Sequence, residues 1–277
     1  MRAVLRNLAL WCAATVLLLG GCEWGGHAYW LAKYDREIKE GTQAIASARS
    51  DAQRARAYAD RGRGYAEKAR YSRSAKLASS EEYGRLFELA VKDHDQAIAL
   101  ASGNAEVYLS RGLTFYGGAV LEEQAGAKTS ALFEAAKADF TRAIERDAAN
   151  EQALDMRGLV HTSMGEHDQA ISDFTMVRKI NPHLGKVRLA EAYCERGQFH
   201  QKEKRSELAI ADYEKAIGMG VPSDGCECQP DCPLAWLYCD KGQYDQSWNV
   251  VHRAQRARRW IPPEVIERLK KASGRSR

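Results

Sequence analysis

A short pattern recurs four times along this 277-residue chain and limits its possible folds more than any other feature. An arginine stands directly before a glycine, with a large side chain four positions before the glycine and another three positions after it. At about 100° per residue, the glycine and both large side chains share one helix face, and the bare glycine lets a neighbouring helix approach closely. The pattern therefore predicts four equivalent helices. The four copies are centred on Arg61-Gly62, Arg111-Gly112, Arg157-Gly158 and Arg196-Gly197.

A second helix is predicted after each of these four. Its pattern is an alanine, a ring four positions later and a small residue seven positions later, as in Ala136, Phe140 and Ala143. An aspartate precedes the ring in every copy, so we expect a structural ion pair between the two kinds of helix, within or between repeats. The expected pairs are Arg61 with Asp93, Arg111 with Asp139, Arg157 with Asp173, and Arg196 with Asp212.

The combined pattern of glycine, large residue, alanine, ring, alanine and a closing proline resembles the tetratricopeptide repeat. The resemblance covers residues 51–222 and implies an all-α, right-handed α-solenoid of stacked helix-turn-helix repeats. Residues 22–50 would then supply a tether and a capping half-repeat. The segment 223–277 would hold a Cys-rich loop, a degenerate fifth repeat around Gly242-Gln-Tyr244, and a basic tail.

The first two repeats are longer than the pattern requires. Twelve residues separate Gly158 from Ala170, whereas 28 separate Gly62 from Ala90. The extra residues fall at about 66–89 and 117–132, between the two helices of each repeat, and the segment Glu67–Lys76 is predicted to be helical. Because repeats stack side by side, both insertions should project from one edge as neighbours. They are either lengthened helical hairpins or a docking edge for a partner.

The N-terminal segment is typical of an export signal. Arg2 and Arg6 precede an apolar run from Leu8 to Leu19, which as a helix spans about 18 Å against roughly 30 Å of hydrocarbon. This layout is that of a signal peptide covering residues 1–21. The stretch Leu19-Gly20-Gly21-Cys22 resembles the lipobox of bacterial lipoproteins, which implies acylation of Cys22. A plain signal peptide or a short signal anchor is the alternative.

The overall charge and motif content point away from nucleic-acid binding and catalysis. The formal net charge is only +4. The seven histidines do not assemble a site, and the sequence holds no catalytic triad motif, phosphate loop or zinc-protease motif. We therefore expect no enzyme activity and no cofactor. The segment from Arg253 to Arg277 carries nine basic residues against two glutamates. It is interpreted as a solvated capping helix with a tail, or alternatively as a contact for anionic lipid or an acidic partner.

Four cysteines lie close together before the last repeat: Cys226, Cys228, Cys232 and Cys239. An exported chain favours disulfides, so two structural disulfides are the first interpretation and a metal site or thiol-redox centre is the alternative. Cys232 and Cys239 would lie about 10 Å apart along a helix, which is too far for a mutual disulfide. Cys194 is the candidate for a remaining free thiol.

The family resemblance also implies a concave groove lined by the first helices, which receives a peptide or a partner helix. Leu109, Leu113 and Tyr116 form an apolar stripe off the repeat core, which indicates either a binding surface or a surface covered by the insertion at 117–132. The residues carried over to the groove are Arg56, Ala59, Arg63, Glu106, Leu109, Leu113, Tyr116, Gln152, Asp155, Leu159, Thr162, Glu191, Cys194 and Gln198.

Together these features predict a non-catalytic scaffold or adaptor on the periplasmic side of a bacterial envelope membrane. Its partner would be another envelope protein or a peptide segment. The membrane contact would be the lipid anchor, with the outer membrane favoured over the inner. A metal-binding or thiol-redox module on the four clustered cysteines, with the repeats as its scaffold, is the competing prediction.

Overall fold

The computed structural model describes residues 23–220 and 230–275 of the chain. Within these ranges the protein has twelve α-helices and no strand, which confirms the all-α prediction. The helices are α1 (Glu23–Ser47), α2 (Asp51–Ser74), α3 (Ser80–Leu100), α4 (Ala105–Gln124), α5 (Ser130–Arg146), α6 (Glu151–Ser163), α7 (His167–Ile180), α8 (Pro182–Lys202), α9 (Ser206–Gly218), α10 (Asp231–Asp240), α11 (Tyr244–Arg256) and α12 (Pro263–Ser273).

Side-chain caps set the start of the first helix of each repeat. Ser50 accepts a hydrogen bond from the backbone N–H of Gln53 at the start of α2, at 3.2 Å. Asn104, Asn150 and Asn181 do the same for α4, α6 and α8. Such caps satisfy backbone donors that have no partner within the helix, and each contributes about 1 kcal/mol.

The turns inside the repeats share a left-handed residue just after the first helix ends. Gly126, Gly165 and Gly242 occupy this position with φ values of 72–80°. Lys76 and Lys204 adopt the same conformation with φ of 57° and 58°. This helix ending pairs backbone groups across the last turn and reverses the chain direction within a few residues. Within each unit, the next helix therefore packs antiparallel on the one before.

The chain divides into two compact units, at residues 165 and 166. In the first, residues 23–165, α1 packs on α2, α2 on α3, α4 on α5 and α5 on α6, while α2, α4 and α6 lie side by side. In the second, residues 166–275, α7 packs on α8, α8 on α9, α9 on α10 and α10 on α11. Each unit is thus a stack of helical hairpins, as the repeat pattern predicts.

In three of the repeats, those of Gly62, Gly112 and Gly197, the glycine lies directly under the ring of the second helix. A Cβ added at Gly112 would lie 2.7 Å from the Phe140 ring, and one added at Gly197 would lie 2.9 Å from the Tyr213 ring. Phe140 and Tyr213 are both fully buried. The sequence pattern of a glycine facing a ring is therefore a packing contact, and it fixes the distance between the paired helices.

Both insertions are lengthened helical hairpins, as the first interpretation predicted. They pack on each other through a small core of their own, which includes Ala69, Tyr83 and Leu86 with Leu121 at its border. The Phe87 ring packs against Phe115 with centroids 6.2 Å apart. The insertions are therefore neighbours within one unit, as the stacking argument requires.

The expected tether at residues 23–33 is wrong, because this segment forms the first half of the continuous helix α1. The side chains of His27, Trp30 and Tyr34 have helical spacing and surround Tyr71 of α2. The Nδ1 atom of His27 lies 2.7 Å from the Tyr71 hydroxyl oxygen, and the Trp30 and Tyr34 rings lie 6.4 and 5.9 Å from the Tyr71 ring. The lengthened α2 supplies the surface on which the start of α1 folds.

The residues of the expected degenerate fifth repeat form the pair α10 and α11. Trp248, Val251 and Ala254 of α11 are buried. Helix α12 then packs on α10 and α11, and it buries Val265 and Leu269. The basic C-terminal segment is therefore largely a capping helix.

Candidate functional site

The first helices of the first three repeats define the candidate interaction surface. Helices α2, α4 and α6, which carry the expected groove positions of these repeats, lie side by side in the unit 23–165. Arg56, Arg63, Glu106 and Gln152 are exposed on these helices. We call these four residues the groove face.

Four expected groove residues are buried, so their assignment to the surface is wrong. Leu109 is only 2% exposed, and Ala59, Asp155 and Cys194 are buried as well. Leu109 belongs to the hydrophobic core of the first unit, together with Ala59. It fills the space between adjacent first helices, because neighbouring repeats pack through residues that lie off the hairpin interior.

The rest of the apolar stripe is only partly available. Leu113 and Tyr116 are half-buried and pack against the same core. The Tyr116 ring lies 6.1 Å from the ring of Phe133, which directly follows the second insertion. Other parts of the protein therefore cover Leu109 fully and cover Leu113 and Tyr116 in part. This favours a covered stripe over a free binding surface.

Local ion pairs hold the arginines of the groove face. Asp60 accepts a hydrogen bond from Arg63 at 2.7 Å, and its carboxylate lies 3.9 Å from the Arg56 guanidinium. The Arg56 side chain is 87% exposed. Exposed pairs of this kind contribute at most about 1 kcal/mol, so the arginines can exchange Asp60 for an acidic group of a partner. Leu159, Thr162 and Glu191 are half-buried and Gln198 is exposed.

The predicted Arg–Asp pairs within repeats are present in three of the four cases. Arg111 donates two hydrogen bonds to Asp139, both of 2.7 Å, and Arg61 and Arg196 bind Asp93 and Asp212 in the same bidentate way. Their carboxylates are buried. The pair of Arg157 and Asp173 stays a prediction, since those residues belong to different units.

The same arginines also reach the preceding helix, which the sequence pattern did not indicate. Arg111 donates a 2.5 Å hydrogen bond to Asp95 of α3, and Arg196 donates one to Asp168 of α7. Hydrogen bonding to Asp139 raises the pKa of Arg111. Each of these side chains therefore links its own repeat to the one before, which is a structural role.

His94 takes the ring position of its repeat and is fully buried. Its Nε2 atom lies 3.0 Å from the Thr114 hydroxyl. Burial, with smaller contributions from Arg111 and Arg63, lowers the pKa of His94 to about 3. The residue is therefore neutral at physiological pH and acts as a packing group.

The cysteines differ from the sequence interpretation. Cys194, expected to be free, is disulfide-bonded, whereas Cys232 and Cys239, expected in disulfides, carry free thiols. Spacing along the chain favours pairing within the cluster, and it does not show which cysteines the fold brings within disulfide distance of each other. Burial raises the pKa of both free thiols. Cys226 and Cys228 lie outside the described residues, as does Cys22.

A cleft of about 290 Å³ opens between α3, α4 and α5, and sequence reasoning missed it. Its signal in the sequence is the pair of small residues Ala135 and Ala138 on α5, which leave space beside Phe115. Within the described ranges, no three His, Cys, Asp or Glu side chains form a metal-binding group. The lining residues are Val91, Asp95, Arg111, Phe115, Ala135, Ala138, Asp139 and Arg142.

Comparison with known proteins supports the repeat interpretation. The family model Tetratricopeptide repeat matches residues 190–219, which cover most of α8 and all of α9. The matched residues lie within the fourth predicted repeat, which is therefore similar to a tetratricopeptide repeat. No curated protein sequence matches the chain.

Several solved structures resemble the chain. MamA is 19% identical over 72% of this chain and 96% of its own, with a TM-score of 0.45. YrrB, described as a TPR protein with an unusual peptide-binding site, is 15% identical over 86% and 95%, also with a TM-score of 0.45. The second TPR domain of human RPAP3, solved with an HSP70 peptide, is 21% identical over 46% and 97%, with a TM-score of 0.33. These are partial matches, and the hairpin assignment rests on the contacts described above.

Proposed function

We propose that this protein is a non-catalytic scaffold that binds a segment of another envelope protein on its groove face. The observation that supports this proposal is the side-by-side arrangement of α2, α4 and α6, on which Arg56, Arg63, Glu106 and Gln152 are exposed. The matched tetratricopeptide repeat supports the same role, since repeats of this kind commonly present first helices to partners.

The groove face fits a polar ligand better than an apolar helix. Leu109 is buried and Tyr116 contacts Phe133, so the apolar stripe offers little free area. The exposed groups are two arginines at one end and Glu106 and Gln152 further along. A partner segment with acidic residues opposite Arg56 and Arg63 and a hydrogen-bonding residue opposite Gln152 matches this order of charges.

The test is cross-linking and pull-down from envelope fractions with an Arg56→Glu/Arg63→Glu variant. Both side chains are exposed, so the variant should keep its helical circular dichroism and melting temperature. We expect capture of the specific partner to fall about tenfold, since two favourable rim charges become repulsive. The matched control is Arg85→Glu/Lys92→Glu, which makes the same charge change at two exposed positions of α3.

Partners retained by the groove variant at the level of the wild type would contradict this binding surface. Equal losses in the groove variant and in Arg85→Glu/Lys92→Glu would show that net charge, and not the groove face, controls capture. Leu109→Arg is unsuitable for this experiment, because a charge placed in the core would unfold the repeat.

We further propose that the protein is anchored in a bacterial envelope membrane through acylated Cys22 and faces the periplasm, with the outer membrane favoured. The supporting observations are the signal-like residues 1–21 and the lipobox-like stretch before Cys22. No helix in the described ranges is long and apolar enough to cross a bilayer. Labelled palmitate should enter the wild-type protein and be absent from Cys22→Ser. Equal labelling would contradict the anchor.

The second candidate function is a metal-binding or thiol-redox module. The observation in its favour is that Cys232 and Cys239 both carry free thiols on helix α10. Their raised pKa argues against it, since metal binding and thiol exchange both need the thiolate. Stoichiometric zinc in protein purified without chelators would favour this module over the scaffold.

A further inference from the structure

Three elements of the unit 23–165 end at the same level, beside the point where residue 22 joins the described chain. They are the start of α1 and the turns at residues 75–79 and 125–129. The contact of His27 with Tyr71 places the start of α1 beside the last turn of α2. The ion pair of Arg73 with Glu122, at 3.9 Å, places the last turn of α4 beside the same turn. We call these three elements together the N-terminal edge.

The lengthened hairpins make this edge project. Helices α2 and α4 continue for 12 residues beyond Gly62 and Gly112, whereas α6 continues for only five beyond Gly158. At 1.5 Å per residue, the seven additional residues extend α2 and α4 by about 10 Å relative to α6. The projecting end is also the end at which the proposed lipid anchor leaves the fold.

Exposed apolar side chains of this unit concentrate at the same edge. Among the described residues 23–165, the large hydrophobic side chains that are well exposed are Tyr29 and Leu77, at 62% and 47%. Tyr29 lies on the first turns of α1, and Leu77 lies in the first turn segment. The second turn adds exposed Ala125 and Ala127. An amphipathic aromatic ring beside an apolar loop tip is typical of groups that lie at a membrane interface.

From these observations we propose that the N-terminal edge rests on the phospholipid bilayer, with Tyr29 and the two turn tips at the headgroup level. The proposal rests on the anchor proposed above. Tyr29 follows the start of α1 by six residues, or about 9 Å of helix, which keeps its ring close to the proposed anchor at Cys22. Contact between the ends of the lengthened hairpins and the bilayer would then set the orientation of the first unit relative to the membrane.

Electrostatics does not drive this contact. Lys76 and Lys128 are exposed at the turn tips, but Glu81, Glu82 and Glu123 are exposed beside them. With acidic and basic groups nearly balanced, anionic lipid gains no net attraction. The affinity of the N-terminal edge for the bilayer therefore comes from its apolar side chains. A zwitterionic bilayer is sufficient for this contact.

The experiment is lipid photo-labelling of the full, exported and purified protein in phosphatidylcholine vesicles that contain a diazirine phospholipid. Labelled peptides are identified by mass spectrometry. We expect labels on peptides that contain residues 26–30, 75–79 and 125–129. The turns at 101–104 and 147–150, at the opposite end of the same unit, serve as the internal control. Leu77→Ser should lower labelling of its own turn about fivefold, because an apolar side chain is removed from the interface.

Leu208→Ser is the matched control variant, since Leu208 is 51% exposed but lies in the other unit. Its edge labelling should equal that of the wild type. An acylated, vesicle-bound protein that labels its edge no more than the opposite turns would overturn the inference and leave the anchor intact. If the wild-type protein lacks acylation and dissociates from the vesicles as Cys22→Ser does, the proposed anchor is wrong. The inference, which rests on the anchor, is then overturned as well. Edge peptides that cross-link to an envelope protein and stay free of lipid label would assign the edge to a protein partner and overturn the inference as well.

Discussion

Single glycines decide how closely paired helices approach in this protein. Gly112 and Gly197 each lie under a buried ring of the next helix, at distances that leave no space for a methyl group. Other glycines carry no such constraint: an added Cβ at Gly84 in helix α3 would meet nothing within 4 Å. Some glycines are therefore needed for helix packing, whereas a glycine such as Gly84 only weakens its helix.

Gly112→Ala is expected to lower the free energy of unfolding by about 1–3 kcal/mol, because the methyl group forces the Phe140 ring to move. Gly84→Ala is expected to raise it by about 0.5–1 kcal/mol, since alanine loses less conformational freedom in a helix. Urea unfolding followed by circular dichroism checks both variants. Changes of the same sign would contradict this distinction.

His94 predicts a specific dependence of stability on pH. Its pKa is about 3 in the fold and about 6.5 in the unfolded chain, so the unfolded state binds the proton first as the pH falls. The His94 contribution to stability is therefore complete above about pH 6.5 and declines toward pH 3. In His94→Phe, which restores the ring of the other repeats, this component should disappear.

The measurement compares urea midpoints of the wild type and His94→Phe between pH 4 and pH 7.5. The wild type should lose stability more steeply below pH 6.5. At pH 7.5 the variant should be within about 1 kcal/mol of the wild type, which is the usual contribution of one hydrogen bond such as that to Thr114. Parallel pH profiles would show that His94 does not stay neutral in the fold.

At the scale of the helix pair, the Arg–Asp contacts specify which elements lie next to each other. Arg111 binds Asp139 within its repeat and Asp95 of the preceding helix. A buried pair of this kind is costly to break on one side and less costly to replace as a whole. The contact therefore determines register between helices more than it adds stability.

Asp139→Ala is expected to destabilise the fold by about 3–5 kcal/mol, because it leaves the largely buried Arg111 without its bidentate partner. The double variant Arg111→Met/Asp139→Leu should cost less than the single one. Glu134→Ala, which removes an exposed pair with Lys137 on the same helix, should change stability by at most about 1 kcal/mol. Urea unfolding of the wild type and the three variants gives the comparison, and a double variant that costs as much as Asp139→Ala or more would argue against this role of the pair.

At the scale of the whole molecule, the two compact units have different reinforcements. The unit 23–165 gains its second core from the two lengthened hairpins. The unit 166–275 includes the disulfide at Cys194, within a core that also contains Tyr213 and Trp248. Reducing agents should therefore affect the second unit.

Reduction of the native disulfide is expected to lower stability by about 2–4 kcal/mol, a typical contribution for one disulfide. Cys194→Ser should show no further effect of the reductant. Alkylation in denaturant without reductant should modify Cys232 and Cys239 and leave Cys194 unmodified. In the folded protein, alkylation of Cys232 at pH 8 should be slower than that of free cysteine, because its raised pKa lowers the thiolate fraction. Alkylated Cys194 would contradict the disulfide.

Three kinds of feature could be predicted from the amino-acid sequence alone. They are the helical hairpins, the contacts of a ring with a glycine, and three of the Arg–Asp pairs. These features depend on residues within one repeat, and four copies of the same spacing make the period visible. The lengthened hairpins followed for the same reason, since extra residues between two recognisable helices can only extend them or form a loop. The part of helix α1 that precedes Tyr34 was not predicted to be helical. The spacing of its aromatic side chains indicates a packed helix face only when Tyr71 is known to lie against them.

Which helix faces remain exposed could be seen only in the folded structure, because it depends on tertiary packing. Leu109 lies off the hairpin interior in sequence, yet it is buried because the next first helix covers it. The disulfide state of Cys194 likewise depends on chain segments far apart in sequence, which spacing rules do not reach. Helical periodicity specifies which side chains share a face, whereas burial is set by the neighbour that packs on that face. Contacts within a repeat are therefore readable from the chain, and those between repeats are properties of the assembled fold.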